Sequence, residues 1–501
     1  MRSLMLKPGL ITKYRNLHIR KFGSQSIPTE RISLLLSTKA SKETAIKELN
    51  RHLLCSPSKP SNVRDEKELD YGAAIFASCD LATWIEDERF MSGLLQSLLK
   101  SYTSGNLNAE NINVLCTVAD GLTPKQLFSE PQTGFSILHG PAKTILPDLW
   151  ELDDLESNNN QHRESSVSFL SNPLPRDTEP LEITLPLANT LFQNGRRSTL
   201  LASRWKLDRD GSMTHAFTHE KRTQAIRPPV NPAGRTTPFL PLLPLTPPRK
   251  IVAGLGNIIR QVEVNGSPTP ASKELEGLIP KVFDIRSTRD ASYMPGPIGV
   301  WCWVLPPNVV EEQSLLSLKG FQVDSSQSEA ELSLESMTVF SEFISSGCRL
   351  HKILSGGGGW GLKQGLLSLD PETNYSLPDQ DDVETFIRAF QARDSPNQSE
   401  GLVTPGSYIM FCIEPHWTEK EIGLSQQLTP NTALGVIPNN DQESDPAYRS
   451  EKIEVIDNHF GVVSKAGLFL KATTLSNTDK PTEQHQTLTT KVDFPRATFL
   501  L

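Results

Sequence analysis

Long apolar runs are absent from this 501-residue chain. A membrane-spanning helix needs about 20 consecutive apolar residues. No run approaches that length, so the sequence predicts no transmembrane segment. The chain also lacks a C-x-x-C pair, because its six cysteines are spread singly. Neither a zinc ribbon nor a disulfide framework is therefore indicated, and free thiols in a reducing compartment are expected.

Catalytic signatures are equally scarce. The chain contains no G-x-S-x-G, no H-E-x-x-H and no convincing Cys–His pairing. His215 and His219 are four residues apart and could share a helical face as metal ligands. No third ligand accompanies them, so solvated histidines in a polar loop are the favoured interpretation. The sequence therefore indicates no metal site and no particular cofactor, and it leans against an enzyme.

Acidic residues are missing from positions 1–29, whereas residues 1–22 carry six arginines and lysines. This bias predicts a basic amphipathic mitochondrial transit peptide over residues 1–22, and Arg20-Lys21-Phe22 resembles an Arg-x-Phe cleavage signal. Its removal takes away six positive and no negative charges, so the formal net charge changes from −8 to −14. We expect a mitochondrial protein, most simply in the matrix, whose charge disfavours non-specific nucleic-acid binding.

Proline is abundant, with 37 residues, and it clusters. Residues 227–248 are proline-rich, which predicts an extended connector rather than a helix or a central strand. Residues 151–180 are polar and acidic and predict a disordered insertion. Residues 474–491 are polar, and we expect them to be mobile.

Short apolar runs between turn residues predict buried strands. These runs are Ala73–Ala77, Ile112–Val118, Gly134–Leu138, Lys250–Gly254, Ile258–Val264, 298–306 and Ser407–Ile413. Apolar residues at helical spacing predict helices across Ile32–Leu53, after Asp80 through Leu99, from a Thr269 cap onward, at Leu332–Ser345 and at Asp382–Gln391. Hairpins are predicted at Asn194-Gly195 and across His459–Leu470. The strand, helix, strand order from Tyr71 suggests a parallel β-α-β unit in a two-lobed α/β protein of mixed sheets and helices.

Several of these runs resemble the FIST sensory domain. The resemblance is carried by A-A-I-F-A-S (73–78), N-V-L-C-T-V-A-D-G (113–121), G-F-S-I-L-H-G (134–140) and G-N-I-I-R-Q-V-E-V-N-G-S-P-T-P-A-S-K-E-L-E (256–276). It covers about 70–150 and 185–285, under half of the chain. It implies a small-ligand-sensing module, with amino acids as the suggested ligands. The blocks 191–205 and 355–371 are similar to a fungal mitochondrial protein family.

The resemblance divides the chain into two expected parts. A FIST-like α/β domain would comprise residues 30–150 and 185–285, with insertions at 151–180 and 227–248. A second α/β domain would comprise residues 290–472 and carry a glycine-rich segment.

That glycine-rich segment, Gly356–Gly361, contains five glycines in six residues. Gly356, Gly358 and Gly361 have the G-x-G-x-x-G spacing of dinucleotide sites. The phosphate-loop ending is missing, because the lysine is displaced to Lys363 and Gln364 replaces the hydroxyl residue. A tight structural turn is favoured over an anion site. The residues that could bind an anion together are Gly356, Gly357, Gly358, Gly359, Trp360, Gly361, Lys363, Arg196 and Arg197.

Three functions remain open from the sequence. The first is a non-catalytic ligand-sensing or regulatory protein that binds a small anionic metabolite, such as an amino acid. The second is a phosphate- or nucleotide-dependent enzyme that uses residues 356–363. The third is a mitochondrial gene-expression factor, which the acidic charge disfavours.

Overall fold

The computed structural model describes the chain in sixteen stretches. They are residues 29–37, 39–55, 71–102, 111–124, 130–151, 165–174, 180–208, 211–229, 234–291, 293–312, 327–356, 365–375, 403–417, 431–437, 452–475 and 485–501. Within these stretches no helix has the length and apolar character needed to cross a membrane. The predicted helix at Asp382–Gln391 lies outside the described residues, as do residues 1–28.

Seven helices occur in the described part of the chain. They are α1 (Lys42–Cys55), α2 (Glu88–Tyr102), α3 (Ala142–Ile145), α4 (Leu191–Asn194), α5 (Lys273–Arg289), α6 (Pro307–Glu312) and α7 (Glu329–Ser345). The predicted helix at Leu332–Ser345 is confirmed as α7, which begins at a capping box between Ser328 and Glu331.

The strands of the described residues form four sheets. Up to residue 226 they are β1 (Glu30–Leu35), β2 (Tyr71–Ser78), β3 (Ile112–Ala119), β4 (Gly134–Pro141), β5 (Ser166–Ser171), β6 (Leu181–Pro186), β7 (Leu200–Leu207), β8 (Met213–Glu220) and β9 (Thr223–Ile226). The next are β10 (Thr237–Phe239), β11 (Leu243–Pro244), β12 (Arg249–Leu255), β13 (Ile258–Val264), β14 (Ser267–Pro270), β15 (Val300–Leu305), β16 (Arg349–Gly356) and β17 (Leu367–Leu369). The last are β18 (Tyr408–Ile413), β19 (Thr432–Val436), β20 (Glu454–Asp457), β21 (Phe460–Ser464), β22 (Leu468–Leu475), β23 (His485–Val492) and β24 (Thr498–Leu500).

A seven-stranded sheet has the order β20-β1-β4-β2-β3-β7-β8. β2 and β3 are parallel and are joined through α2, which confirms the predicted β-α-β unit. Apolar residues of α1 and α2, including Leu49 and Leu94, pack on one face of this sheet. The edge strand β20 comes from the C-terminal part of the chain and pairs with β1. The expected division near residue 285 therefore does not follow the sheets.

A five-stranded sheet, β23-β22-β6-β5-β9, packs on the opposite face. Phe76 of the first sheet lies 5.9 Å from Phe169 of the second, between ring centroids, and 5.4 Å from Phe460. Fully buried aromatic rings at these distances contribute strongly to core stability. The two sheets thus share one core, with helices outside the larger sheet.

An eight-stranded sheet contains β11, β18, β12, β13, β17, β16 and β15 in that order, with β14 paired to β13. β15 is central, between β16 and β18, which confirms the expectation from its unbroken apolar run. Trp303 on β15 packs between Phe340 and Phe343 of α7, with ring centroids 5.7 and 5.4 Å away. A four-stranded sheet, β10-β24-β19-β21, completes the fold. The α/β class of mixed sheets and helices is confirmed.

Several sequence expectations are wrong where long-range pairing decides the structure. Ile32 and Leu35 belong to strand β1, held between β4 and β20, and not to a helix. β5 lies inside the segment expected to be disordered, and β23 overlaps most of the described part of the one expected to be mobile. The predicted hairpin across His459–Leu470 is not formed, because β21 joins the four-stranded sheet and β22 the five-stranded sheet.

Local turn chemistry accounts for three further differences. Asn194 ends the helical turn α4, and Gly195 caps it with φ 78°, so the predicted hairpin is absent. Thr269 and Pro270 lie on β14, and the helix begins at Lys273. Asp80 lies inside a 3₁₀ turn over Cys79–Leu81, and α2 starts only at Glu88. The described parts of the proline-rich segment, 227–229 and 234–248, contain no helix, and their short strands β10 and β11 lie at sheet edges, as expected of an extended connector.

Candidate ligand-binding site

The flanks of the glycine-rich segment are antiparallel strands. β16 ends at Gly356, which lies opposite Leu367 of β17. The rest of the candidate anion loop, Gly357, Gly358, Gly359, Trp360, Gly361 and Lys363, lies outside the described residues. Dinucleotide loops instead join a strand to a following helix, whose N-terminus faces the phosphates. The described flanks therefore have the geometry of a hairpin and lack that helix.

The two arginines proposed to join this loop lie just before β7. That strand belongs to the seven-stranded sheet, whereas β16 belongs to the eight-stranded sheet. Arg196 Nη1 donates to Glu220 Oε2 at 2.6 Å, and its Nε is 3.4 Å from Glu86 Oε1. Glu220 lies on β8 and Glu86 lies just before α2, and these two carboxylates balance the charge of Arg196. Arg197 follows it as an exposed residue. Arg196 and Arg197 therefore adjoin the seven-stranded sheet, whereas Gly356 lies in the eight-stranded sheet.

The histidine pair lies on strand β8 and not on a helix. A bulge in β8 sets His215 opposite Trp205 and His219 opposite Ala202. Trp205 and Ala202 are three positions apart on β7, so their side chains point to opposite faces of the sheet. The two histidines therefore cannot share a metal ion. In the described stretches no group of three or more His, Cys, Asp or Glu side chains is placed to hold one.

The carboxyl ends of the parallel strands, a common ligand location in α/β proteins, hold Cys79 and Asp120. Burial raises the pKa of the Cys79 thiol to about 11, and the Asp120 carboxylate contributes to that rise. Burial also raises the pKa of Asp120, although its Oδ2 accepts a hydrogen bond from the Lys465 amide at 2.7 Å. A thiol held protonated at neutral pH is a poor nucleophile. The described surroundings of Cys79 therefore do not activate its thiol as a nucleophile.

The outer face of the five-stranded sheet is polar. On β5, Val167 and Phe169 are buried in the core, whereas Ser166 and Ser168 alternate with them and point outward. Pairing extends the outward row across the sheet. This row runs Phe469, Thr184, Ser168 and Ala225 on β22, β6, β5 and β9. Apart from Phe469, this row consists of small and hydroxyl side chains, which leave space above the sheet.

That space is a pocket of about 510 Å³, inside the range of about 300–1,000 Å³ typical of small-molecule sites. The outward row is its floor. One wall consists of Pro147, Asp148 and Glu151, which follow α3, and the opposite wall consists of Asn374 and Tyr375. Segments from both halves of the chain therefore build a single concave site.

Opposite charges lie side by side in this pocket. Lys471 and Glu182 are directly opposed on β22 and β6, with Nζ 3.3 Å from Oε2. Lys221 is buried, and its Nζ donates to the backbone oxygens of Leu149 and Glu151 at 3.0 and 3.1 Å. The wall that follows α3 is thus fixed by Lys221, while Lys471 and Glu182 present half-exposed charges to the pocket.

Hydroxyl groups and one aromatic pair complete the lining. Ser168 Oγ and Thr184 Oγ1 are 2.9 Å apart on the floor, and the rings of Tyr375 and Phe469 lie 5.2 Å apart at the second wall. Neither cysteine nor histidine occurs among the described lining residues. Ser168 is bonded to another hydroxyl and not to a base, so nothing here activates it as a nucleophile. The described lining thus offers hydroxyl, charged and aromatic groups for contacts with a ligand.

The sequence alone did not reveal this site. Its floor comes from β5, β6, β9 and β22, which are spread over about 300 residues. The alternation of serine and apolar residues in S-V-S-F-L-S shows that one face is polar. Such a face is ordinarily solvated, and only the tertiary fold sets two walls above it.

The comparisons with known proteins add no relative. No protein-family model, no curated protein and no solved structure matches this chain.

Proposed function

We propose that this protein is a ligand-sensing or regulatory protein that binds an amino acid or a similar small metabolite in the pocket above the five-stranded sheet. The observation that carries the proposal is the opposed pair Lys471 and Glu182 beside a row of hydroxyls. A zwitterion offers a carboxylate to the lysine and an ammonium group to the glutamate. The resemblance to FIST domains supports the same ligand class.

The charge of the lining favours a zwitterion over a multiply charged phosphate ester. Three carboxylates, Asp148, Glu151 and Glu182, face two ammonium groups, Lys221 and Lys471. A dianion would meet net negative surroundings, whereas an amino acid brings one charge of each sign. The proposed role is therefore binding without catalysis, with the anionic end of the metabolite at Lys471.

The mitochondrial matrix is the proposed location. Support comes from the basic, acid-free residues 1–22 and from the six cysteines, all of which are free thiols. A fluorescent fusion of the full chain should be imported into mitochondria, and one without residues 1–22 should stay in the cytosol. Import of the truncated fusion would refute residues 1–22 as the targeting segment, and failure of the full-length fusion to be imported would refute the location.

A thermal-shift screen tests the ligand class. The mature protein is heated with each common L-amino acid and, separately, with nucleotides. A ligand that binds the native state raises stability by RT ln(1 + [L]/Kd). We expect at least one amino acid and no nucleotide to raise the melting temperature. Stabilisation by nucleotides alone would favour the enzyme hypothesis instead.

A lysine variant localises the site. Lys471→Ala removes a charged hydrogen-bond donor, worth about 1.5–3 kcal/mol when buried and less at a half-exposed position. We expect the Kd of the amino acid to rise about tenfold, which corresponds to about 1.4 kcal/mol. Lys47→Ala, on α1 and away from the pocket, is the matched control. Equal affinities in the two variants would contradict this placement of the carboxylate.

A further inference from the structure

A short segment that follows β17 forms one wall of the pocket. We call Asp370–Tyr375 the strap. Asn374 and Tyr375 at its end line the pocket, and the Tyr375 ring packs 5.2 Å from Phe469 on the floor. The position of the strap therefore determines the shape of this side of the site.

One lysine holds the strap to the sheet. Lys491 lies on β23 directly opposite Phe469 on β22. Its Nζ is 3.1 Å from Asp370 Oδ2 and 2.7 Å from Glu372 Oε2, and it stands 5.5 Å from the centre of the Phe469 ring. The same ammonium group thus contacts two strap carboxylates and the aromatic floor of the pocket.

The surroundings make this contact strong. The Lys491 side chain is only 13% exposed, and a third carboxylate, Asp493, lies 3.8 Å away. Burial by itself lowers the pKa of Lys491, but Glu372, Asp493 and Asp370 outweigh it and raise that pKa. Burial raises the pKa of Asp493, which also accepts a hydrogen bond from Trp301 Nε1 at 2.8 Å. Without the ammonium group, three partly buried carboxylates would face one another.

The other end of the strap is tied to β16. The Asp370 amide donates to the Lys352 oxygen, and His351 Nδ1 donates to the Asp370 oxygen, both at 2.8 Å. Ile353 of β16 pairs with Leu369, the residue before the strap. The strap therefore connects the pocket wall to the strand that leads into the glycine-rich segment.

We propose that Lys491 is a positioning residue of the binding site: it holds the strap against the five-stranded sheet, sets the affinity of the pocket, and makes the strap the element that a bound metabolite stabilises. This inference rests on the proposed binding function. We call the contacts of Lys491 with Asp370 and Glu372 the latch. Because a ligand in this pocket contacts Tyr375 and Asn374, it binds the strap more tightly when the latch is formed than when it is broken. Ligand and latch then stabilise each other by linkage.

Hydrogen exchange tests the latch without any ligand. In Lys491→Met, amides of the peptide covering Asp370–Tyr375 should exchange about tenfold faster, which corresponds to about 1.4 kcal/mol. Amides of α1 and α2 should be unchanged. Lys491→Arg keeps the charge and should restore protection. Strap protection equal to wild type in Lys491→Met would overturn the inference, whatever the protein binds.

A second measurement separates the latch from the proposed function. A mixture of the common L-amino acids should slow strap exchange in the wild type and do so less in Lys491→Met. If the latch variants behave as expected but the mixture protects no strap amide in the wild type, the proposed ligand class fails and the ligand-linked part of the inference is overturned with it. Glu372→Gln, which removes the negative charge 2.7 Å from Lys491 Nζ at a half-exposed position, should also speed strap exchange and serves as the test should Lys491→Met fail to fold.

Discussion

The buried ion pair between α5 and α7 gives the most quantitative stability prediction. Arg286 and Glu329 form two parallel bonds, 2.9 Å from Nε to Oε1 and 2.7 Å from Nη2 to Oε2. Their side chains are 7% and 5% exposed. Arg286 also donates to the Glu414 oxygen, and the His416 amide donates to Glu329. The pair therefore joins both helices to the segment after β18.

Removing only the arginine should be costly. In Arg286→Met, the Glu329 carboxylate stays buried and keeps the His416 amide but loses both guanidinium bonds. Breaking one partner of a buried pair costs about 3–5 kcal/mol. The double variant Arg286→Met with Glu329→Leu should recover part of that loss, because it leaves no unpaired buried charge, although the Glu414 oxygen and the His416 amide lose their side-chain partners.

The assay is denaturant unfolding followed by tryptophan fluorescence. Arg51→Met is the control, because the Arg51–Glu48 pair has an arginine side chain that is 75% exposed and should contribute less than about 0.5 kcal/mol. A loss in Arg286→Met as small as in the control would refute the argument. So would a double variant less stable than the single one.

Three further predictions follow from the burial and close packing of particular side chains. Burial lowers the pKa of His351 to about 4, so as pH falls from 6.5 to 5 the unfolded chain takes up its proton and the folded chain does not. This proton uptake by the unfolded chain lowers the free energy of unfolding by about 2 kcal/mol. His351→Gln should therefore flatten the dependence of that free energy on pH. Gly134→Ala should lower the free energy of unfolding by at least about 1–3 kcal/mol, because its Cβ would lie 2.1 Å from the Leu34 oxygen. Gly277→Ala, on α5 with no atom within 4 Å of the added Cβ, should raise it. Of the six thiols only Cys55 is exposed, so one should react rapidly with a disulfide reagent in the native protein and six in denaturant.

Each of these has a clear contrary result. An unchanged pH slope in His351→Gln would mean that this histidine is accessible to protons in the folded state. Equal stabilities of the two glycine variants would contradict the close approach of β1 to Gly134. Three or more rapidly reacting thiols in the native protein would contradict the packing of the cysteine-bearing strands.

Local patterns predicted the strands that are buried on both faces. The runs over Ala73–Ala77 and 298–306 have no polar alternation, and both are central strands. Patterns failed where distant pairing overrides local preference. The spacing of Ile32 and Leu35 suits a helix, yet Ser33 Oγ lies 3.3 Å from Ser136 Oγ on β4 and bonds the His459 oxygen, which fixes this stretch as a strand.

The candidate site could not be predicted from the sequence for a different reason. The glycine-rich segment has a conspicuous motif, but the function of such a motif depends on the element that follows it. The next element in the described part of the chain is the antiparallel strand β17. The pocket has no motif at all. In the sequence nothing distinguishes Ser168, Thr184 and Lys471 from other surface residues. Strand pairing places them on one face of the sheet, and the strap forms a wall beside them.

Titration calorimetry with a floor variant is the decisive test of binding in the pocket. Ser168→Leu introduces a bulky apolar side chain in the middle of the pocket floor, and Ser287→Leu makes the same change at an exposed position of α5. We expect an amino acid to bind the wild type and Ser287→Leu with equal affinity and not to bind Ser168→Leu measurably. Equal binding to all three proteins, or to none of them, would refute the proposed site.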